Sequence, residues 1–415
     1  MVQIFINKHF FNLLIFTLTF GILLYDAIGF NYTDEVCALF LFVLFGFYMI
    51  KNSEWPFNKA FFTTIIVFVA YFLYSVFINS NTKSAIISDC LIQIKPYLAF
   101  FCVYSMAPFF SVNQNFILRV ISIFFGFFLL IVGCMNPFER TIRAVMGHES
   151  YFAAAVVSSA LCYLIASDFR TKDKIIYLML LSVGLFSTRS KFYGFFILNC
   201  TALVYFNKVG RFHLTGKSIT LFMLVFALII AAVWQKINLY FIQGLDPNSE
   251  KDLIARFVLY ATSFEIFRDY FPFGSGFASF ATFSSGEYYS DIYVKYGIEN
   301  IWGLSKEFHS YVADTYYPSL AQFGIVGVVL YLSFWIYIIK RALLYFQSSQ
   351  LIKYTLVTML IIAYFAIEST TDSTYTTHRG FFIMMLLGFS LANMKREALE
   401  SNNPINPDKY ESVAD

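Results

Sequence analysis

Residues 319–339 read Ser-Leu-Ala-Gln-Phe-Gly-Ile-Val-Gly-Val-Val-Leu-Tyr-Leu-Ser-Phe-Trp-Ile-Tyr-Ile-Ile, without one charged side chain. Wound as a helix, an apolar run of about 20 residues spans the hydrocarbon core of a bilayer. Directly before it lies the longest interval between such runs, residues 237–318, which passes through Asp246-Pro247-Asn248, Arg256, Pro272-Phe273-Gly274-Ser275-Gly276 and His309 to Asp314. A structureless connection of that length is uncommon in a compact protein, so the spacing predicts a small ordered subdomain or a lid.

Working outward, further apolar runs fall near 10–25, 35–50, 60–78, 90–109, 116–134, 151–167, 174–187, 191–207, 218–235, 353–368 and 379–394. With 319–339 they predict about twelve membrane helices; the 174–207 region also reads as a broken pair with a very tight turn. The composition agrees: 59% of the residues are hydrophobic and 13% charged, with 53 Phe and 29 Tyr, against about 25% charge in a soluble domain. In lipid only helices and closed barrels satisfy the backbone, and unbroken runs select helices. The expected fold class is therefore all-α: a polytopic bundle with residues 1–236 as N-terminal helices, 237–318 as a large, mostly helical loop, 319–394 as C-terminal helices and 395–415 as a polar, disordered tail. The first run, from after Lys8-His9 to about Tyr25, has no small-residue cleavage pattern before Asp26 and reads as a retained helix.

Lysine and arginine set the orientation. Lys51 and Lys59, Arg119, Arg170-Lys172-Lys174, Lys208-Arg211-Lys217 and Lys340-Arg341-Lys353 occupy alternate connections, and Lys8 and Lys395-Arg396 share their side. That side is expected to be cytoplasmic, with both termini inside and 237–318 outside. The long segment holds five Lys/Arg against ten Asp/Glu, a balance of −5, which leaves +8 for the rest of a chain whose total is +3.

Six scattered cysteines without CxxC spacing argue against a disulfide framework or a metal site. The chain has no Asp-x-Asp pair, HExxH or P-loop, which speaks against metal-assisted transfer from a nucleotide sugar and against ATP hydrolysis. No cofactor, metal or nucleic-acid partner is expected.

Basic residues on the expected outer side need an explanation. Lys95, in Gln93-Ile94-Lys95-Pro96, lies one or two turns into a span; it either snorkels to the headgroups or faces inward as an anion site. Arg189, in Ser187-Thr188-Arg189-Ser190-Lys191, is either a plain topological turn or an inward arginine that grips phosphate with its fork of donors. Arg140 and Arg143 would share one face of a short interfacial helix ahead of Met146-Gly147-His148-Glu149-Ser150. Around Arg256, apolar positions from 253 to 267 recur at helical spacing, and the glycines after Pro272 permit a tight turn that can offer backbone N–H groups to an anion. The segment's ten tyrosines and excess carboxylates suit sugars or an interfacial belt, Tyr316 among them. His309 reads as a general base or a substrate hydrogen bonder; Asp314 reads as a base or as the N-cap of a helix over 315–339. His148 and His378 are weaker candidates.

Four stretches resemble the integral-membrane O-antigen polymerase and ligase superfamily of bacterial envelope glycan assembly. Arg143-Ala-Val-Met-Gly147-His-Glu-Ser-Tyr-Phe-Ala153 is similar to the family's Arg…Gly…Asn-x-x-Ala approach to a mid-chain span, with Ser150 or Tyr151 in the region of the asparagine. Ser187-Thr-Arg189-Ser190 resembles its Ser-Arg turn. Arg256 with Pro272-Phe-Gly274-Ser-Gly276-Phe resembles its Arg…Pro-x-x-Gly-x-Gly-x-Phe, and Asp314-Thr-Tyr-Tyr-Pro-Ser-Leu-Ala-Gln-Phe-Gly324-Ile-Val-Gly327 its segment closing on Gly-x-x-Gly. The ligase-like His-Asn pair is absent, since Ser310 follows His309, which points to the Wzy-type polymerase branch. The resemblance implies a GT-C-like fold in the bacterial inner membrane with its site facing the periplasm. It implies a metal-independent glycosyltransferase whose substrates are undecaprenyl-pyrophosphate-linked oligosaccharides, working among membrane lipids beside a chain-length regulator protein. Arg189 and Arg256, helped by Arg143 and Lys95, would hold the pyrophosphate; His309 or Asp314 would handle the acceptor's proton; His148 and Tyr316 would touch substrate. A ligase passing glycan to lipid A-core, and a flippase for lipid-linked sugars, are the competing expectations; a non-catalytic membrane partner is a third.

Overall fold

Polar caps decide where several of the apolar runs begin to wind. Asn58, Thr82, Ser111 and His148 each accept a backbone N–H from the first turn that follows them, which satisfies a donor that an isolated helix end leaves open. In the computed structural model of the chain the described residues are 2–25, 29, 32–52, 58–209, 220, 223, 251–350 and 352–402. About 80% of the structure is helical, and among the described residues there is no strand. The helices are α1 (Val2–Leu18, continued by a π turn, Thr19–Leu23), α2 (Thr33–Lys51), α3 (Lys59–Phe77), α4 (Lys83–Met106), α5 (Val112–Glu139), α6 (Thr141–Met146), α7 (Glu149–Ala166), α8 (Thr171–Ser182, continued by a 3-10 turn, Val183–Ser187) and α9 (Ser190–Val209). They resume with α10 (Lys251–Asp269), α11 (Phe283–Glu287), α12 (Asp291–Lys295), α13 (Tyr316–Ser319), α14 (Gly324–Ser349), α15 (Ile352–Glu368) and α16 (His378–Asn402).

Among the described residues, 7 helices are long and apolar enough to cross a membrane. Each expected span falls on a helix except 218–235, of which only residues 220 and 223 are described; 237–250 of the long segment and 403–415 of the tail lie outside the described residues. The boundaries moved in two informative places. Residues 90–109 were too short a reading, because α4 starts at Lys83; its polar first turns, Lys83 to Asp89, meet the segment that follows α10 rather than lipid. Residues 395–402 continue α16 and do not begin a disordered tail.

Two helices form the centre. In α7 every residue from Phe152 to Ala166 is buried, and its run of Ala, Ser and Val lets neighbours approach closely. In α16 every residue from His378 to Met394 is buried, and a Cβ at Gly388 would stand 2.6 Å from the Phe100 carbonyl oxygen of α4. Only a glycine lets these two backbones meet.

Residues 251–323 cap one end of the bundle around a core of their own, with Ala255, Leu259, Ile266, Phe280, Tyr293, Leu304 and Val312 inside. The cap sits on the tips of α3 and α4. Tyr74 donates to the Gly274 carbonyl (2.9 Å), Ser75 accepts from Phe277 N–H (2.8 Å), Ser80 donates to the Phe277 carbonyl (2.8 Å) and Asn81 to the Ala278 carbonyl (2.7 Å). Each bond contributes about 1 kcal/mol net. Phe277, fully buried, packs against Phe323 and Phe68 with ring centroids 5.0 and 6.1 Å away.

The Pro272–Gly276 turn therefore does not face an anion, as its glycines suggested. Gly274 N–H donates to the Tyr270 carbonyl (2.8 Å), Gly276 N–H to the Gln322 carbonyl (2.7 Å) and Ala278 N–H to the Asp89 carboxylate (2.7 Å). Gly274 and Gly324, with φ of +79° and +61°, instead bring two backbones together: a Cβ on Gly324 would lie 2.3 Å from the Pro272 carbonyl oxygen. Gly324→Ala is expected to cost at least about 2 kcal/mol through strain and collision and to loosen the cap. A thermal melt in detergent checks it; a midpoint within a degree of wild type would contradict the lock.

Candidate functional site

The helices α2, α7, α9 and α16 all begin at the capped end, and their first residues carry charge: Asp34 and Glu35, Glu149, Lys191, and Arg379. The positive ends of their dipoles meet there. Folding draws these residues into one cluster with Lys95, Arg143, His148, Arg189, Arg256, Asp314, Glu368 and Asp372.

Glu149 joins two arginines. Arg143 Nε donates to its Oε1 at 2.6 Å, and Arg189 Nη2 stands 3.1 Å from Oε2. Arg189 Nη2 also lies 2.7 Å from His148 Nε2, while Ser150 N–H points at His148 Nδ1 from 3.2 Å. Ser150 N–H and the Arg189 guanidinium thus crowd the two ring nitrogens, with the Glu149 carboxylate farther off, 3.6 Å from Nε2. Burial first and then the Arg189 charge push the His148 pKa down to about 4, with Arg379 adding and Glu149 and Asp372 opposing. Arg140 does not share the helix with Arg143: it caps α6 in a left-handed conformation, φ 51°.

Lys191 is paired from above, its Nζ 2.5 Å from Glu368 Oε2 and 3.6 Å from Asp372 Oδ2. Thr374 donates to Asp372 Oδ1 at 2.5 Å. Burial opposes the charge on Asp372, but Lys191, Arg379, the Thr374 hydroxyl and His148 together hold its carboxyl below the usual range.

Lys95 neither snorkels nor waits for an anion: it is buried and ion-paired with Asp34, and with Glu35 at 2.8 Å. Arg256, in the first turns of α10, pairs through Nε and Nη2 with the Asp314 carboxylate. Asp314 is therefore not a helix N-cap; Thr315 holds that position and makes no side-chain capping bond. Burial raises the Asp314 pKa, against the pull of Arg256 and with help from the Asp372 charge.

His309 is not brought to this cluster. Its ring meets the Lys306 carbonyl at 3.3 Å and Glu287 at 4.0 Å on the cap. Tyr316 is buried in a group of aromatic rings, 4.9 Å from Tyr375 and 5.7 Å from Tyr331 between centroids. Tyr293 is enclosed in the core of the cap. Neither of these tyrosines forms an open sugar platform.

Beside this group of rings a crevice of about 250 Å³ opens between α3, α4 and α14. Phe68, Tyr71, Phe323, Leu330 and Phe334 line it, and Tyr97, Tyr316 and Tyr331 form its polar corner. Tyr97 stands 5.8 Å from the buried Tyr375, the neighbour of Thr374, so these rings lie between the apolar crevice and the charged cluster.

Arg379 opens the apolar run 379–394, and nothing in the sequence assigns it a role. It is 3% exposed, and its guanidinium lies over the Tyr151 ring, 3.8 Å from the centroid. No described residue accepts from its Nε or Nη1. The signal was an arginine at the head of an apolar run. The carboxylates that balance the other bases, Asp34, Glu35, Glu149, Glu368 and Asp372, were missed because a single sequence does not show which charges meet.

No protein-family model, no curated protein and no solved structure matches this chain.

Replacing Lys191 with Met leaves Glu368 and Asp372 buried beside one another and is expected to cost about 3–5 kcal/mol; adding Glu368→Gln should recover part of it, read as melting temperature. His148 gives a pH test. Its pKa is lower folded than the unfolded 6.5, so its contribution is complete above pH 6.5 and is lost as pH falls toward 4. Solvent screening of a partly exposed ring reduces this to about 1 kcal/mol. His148→Asn, which keeps a capping side chain, should lack that component of the acid-side loss; identical pH curves for the two proteins would refute it.

Proposed function

We propose that the chain is a polytopic enzyme of the bacterial inner membrane that polymerises lipid-linked oligosaccharide repeats at the periplasmic face. In this reading about twelve helices cross the membrane, and the cap is the periplasmic lid. The observation that carries it is the gathering of Arg143, Arg189 and Arg256 with Asp314 under the cap, a set of donors suited to a pyrophosphate, with an apolar crevice for a hydrocarbon chain on the far side of the Tyr97–Tyr375 rings. The order of Arg143, Arg189, Arg256 and Asp314 along the chain, which resembles the O-antigen polymerase and ligase superfamily, supplies the rest.

The chemistry follows from the charges. The growing glycan enters on undecaprenyl pyrophosphate with the prenyl chain in the crevice. A hydroxyl of the terminal sugar on the acceptor repeat attacks the donor's anomeric carbon. Its proton passes to Asp314, a half-buried carboxylate with a raised pKa, better matched to the task than an ordinary surface acid. The C–O bond to the pyrophosphate breaks, and Arg189 and Arg256 receive the charge. Arg143 supports Arg189 through their shared Glu149. Losing one such donor costs about 2–4 kcal/mol of transition-state stabilisation. Of the two expected bases, Asp314 takes the role because it pairs with Arg256 while His309 lies apart on the cap.

One observation favours a second reading, a transporter of lipid-linked sugars. Lys191 with Glu368, and Lys95 with Asp34, are buried ion pairs of the kind that mark ion-coupled pathways in membrane proteins. Purified protein in vesicles with defined lipid-linked repeats separates the two, since only a polymerase lengthens the glycan.

Arg189→Ala and Arg256→Ala are each expected to abolish long-chain polysaccharide in cells, leaving single repeats on the lipid core, with the protein still present by immunoblot. Asp314→Asn should do the same. Normal chain-length profiles in both arginine variants would reject the assignment, and loss of even the single repeat would indicate a ligase.

A further inference from the structure

Each of Lys95, Arg143, Arg189, Lys191 and Arg256 already has a carboxylate partner inside the cluster. Arg379 differs. It is 97% buried by its 3% exposure, yet among the described residues it has no ion pair, and its Nε and Nη1 donate to nothing. The charge of Arg379 acts on Asp372 and on His148, but neither acid nor imidazole comes within bonding distance. A buried cation with open donors is costly unless an anion completes it.

The surroundings suit a phosphate. Arg379 is the second residue of α16, and its guanidinium lies on the ring of Tyr151, the third residue of α7. The positive ends of the two central helices thus meet at this side chain. The Tyr151 ring lies 3.8 Å from the guanidinium carbon, and the enclosed Nε and Nη1 have no acceptor among the described residues, whereas a planar guanidinium matches the oxygens of a phosphate. Gly380 follows with no room for a Cβ, which would stand 2.2 Å from the Tyr375 carbonyl oxygen, so the head of α16 is held in place by the same turn that carries Tyr375.

We infer that Arg379, seated on Tyr151, is the primary phosphate anchor of this protein, and that the other arginines engage the anion only by leaving their carboxylates. The inference rests on the proposed lipid-pyrophosphate chemistry for its ligand class, a mono- or diphosphate ester; the arms of its test separate a lipid-borne phosphate from a free one.

Full-length protein in detergent is titrated with inorganic pyrophosphate and, separately, with farnesyl pyrophosphate, following the melting temperature by tryptophan fluorescence. Wild type should show a saturable upward shift with both, at lower concentration for the farnesyl compound if the phosphate arrives on a lipid. Arg379→Gln should weaken both by at least about tenfold, the effect of losing one charge-assisted pair, and Arg379→Lys should retain part of the affinity. Lys306→Gln, an exposed cap residue, serves as the control and should match wild type. Absence of a saturable shift in wild type, or wild-type affinity in Arg379→Gln, overturns the inference. Should the glutamine variant fail to fold, Arg379→Lys decides alone, and unchanged affinity there also overturns it. Tight binding through Arg379 without glycan growth on lipid-linked repeats would sink the polymerase reading and leave the phosphate site standing.

Discussion

A charge cannot remain bare inside an apolar bundle, and the placement of its partner fixes which helices meet. Lys191 at the head of α9 is held by Glu368 at the foot of α15 and by Asp372 in the turn toward α16. Glu149 at the head of α7 reaches Arg143 before it and Arg189 before α9. Asp34 and Glu35 at the head of α2 reach Lys95 within α4. These pairs connect helices distant in sequence at one level of the bundle. Sliding any one helix by a turn would strand a charge at a cost of several kcal/mol. Hydrophobic packing alone sets no such register, because one apolar turn resembles the next.

The cap depends on a different contact. Gly274 and Gly324 let two backbones touch, and Phe277 seals the seam against Phe323. This ties the cap to α14 and to the tips of α3 and α4. Along the rest of its length α3 is mostly exposed, with 17% of its apolar window buried. The crevice opens at this loosely packed helix, beside α4 and α14. Tight docking at the tip and loose packing below keep the cap seated while α3 leaves a gap beside α4 and α14.

The helices were legible because the bilayer imposes a length and a composition that any single run of sequence reveals. Arg143, Arg189, Arg256 and Asp314 were legible as charges where charge needs a reason, and the fold gathers them. Their pairing was not. Whether Lys95 faces lipid, an anion or a carboxylate depends on Asp34 and Glu35, some sixty positions away, and nothing local encodes it. The Pro272–Gly276 turn misled for a related reason: glycine permits both an anion nest and a close backbone crossing, and only the partner, here Gly324, distinguishes them. His309 misled because a histidine near a helix start reads alike whether it faces the bundle or the surface of the cap.

On the proposed reading the carboxylates also govern how an anionic substrate is held. In the proposed reaction an incoming phosphate competes with Glu149 for Arg143 and Arg189, and with Asp314 for Arg256. It meets no such competitor at Arg379, whose buried Nε and Nη1 have no partner among the described residues. Competition of this kind has a kinetic use. If every arginine were free, a pyrophosphate product would be bound by all of them and leave slowly. Arginines that return to their own carboxylates release it, so one open anchor and several paired donors favour turnover over retention.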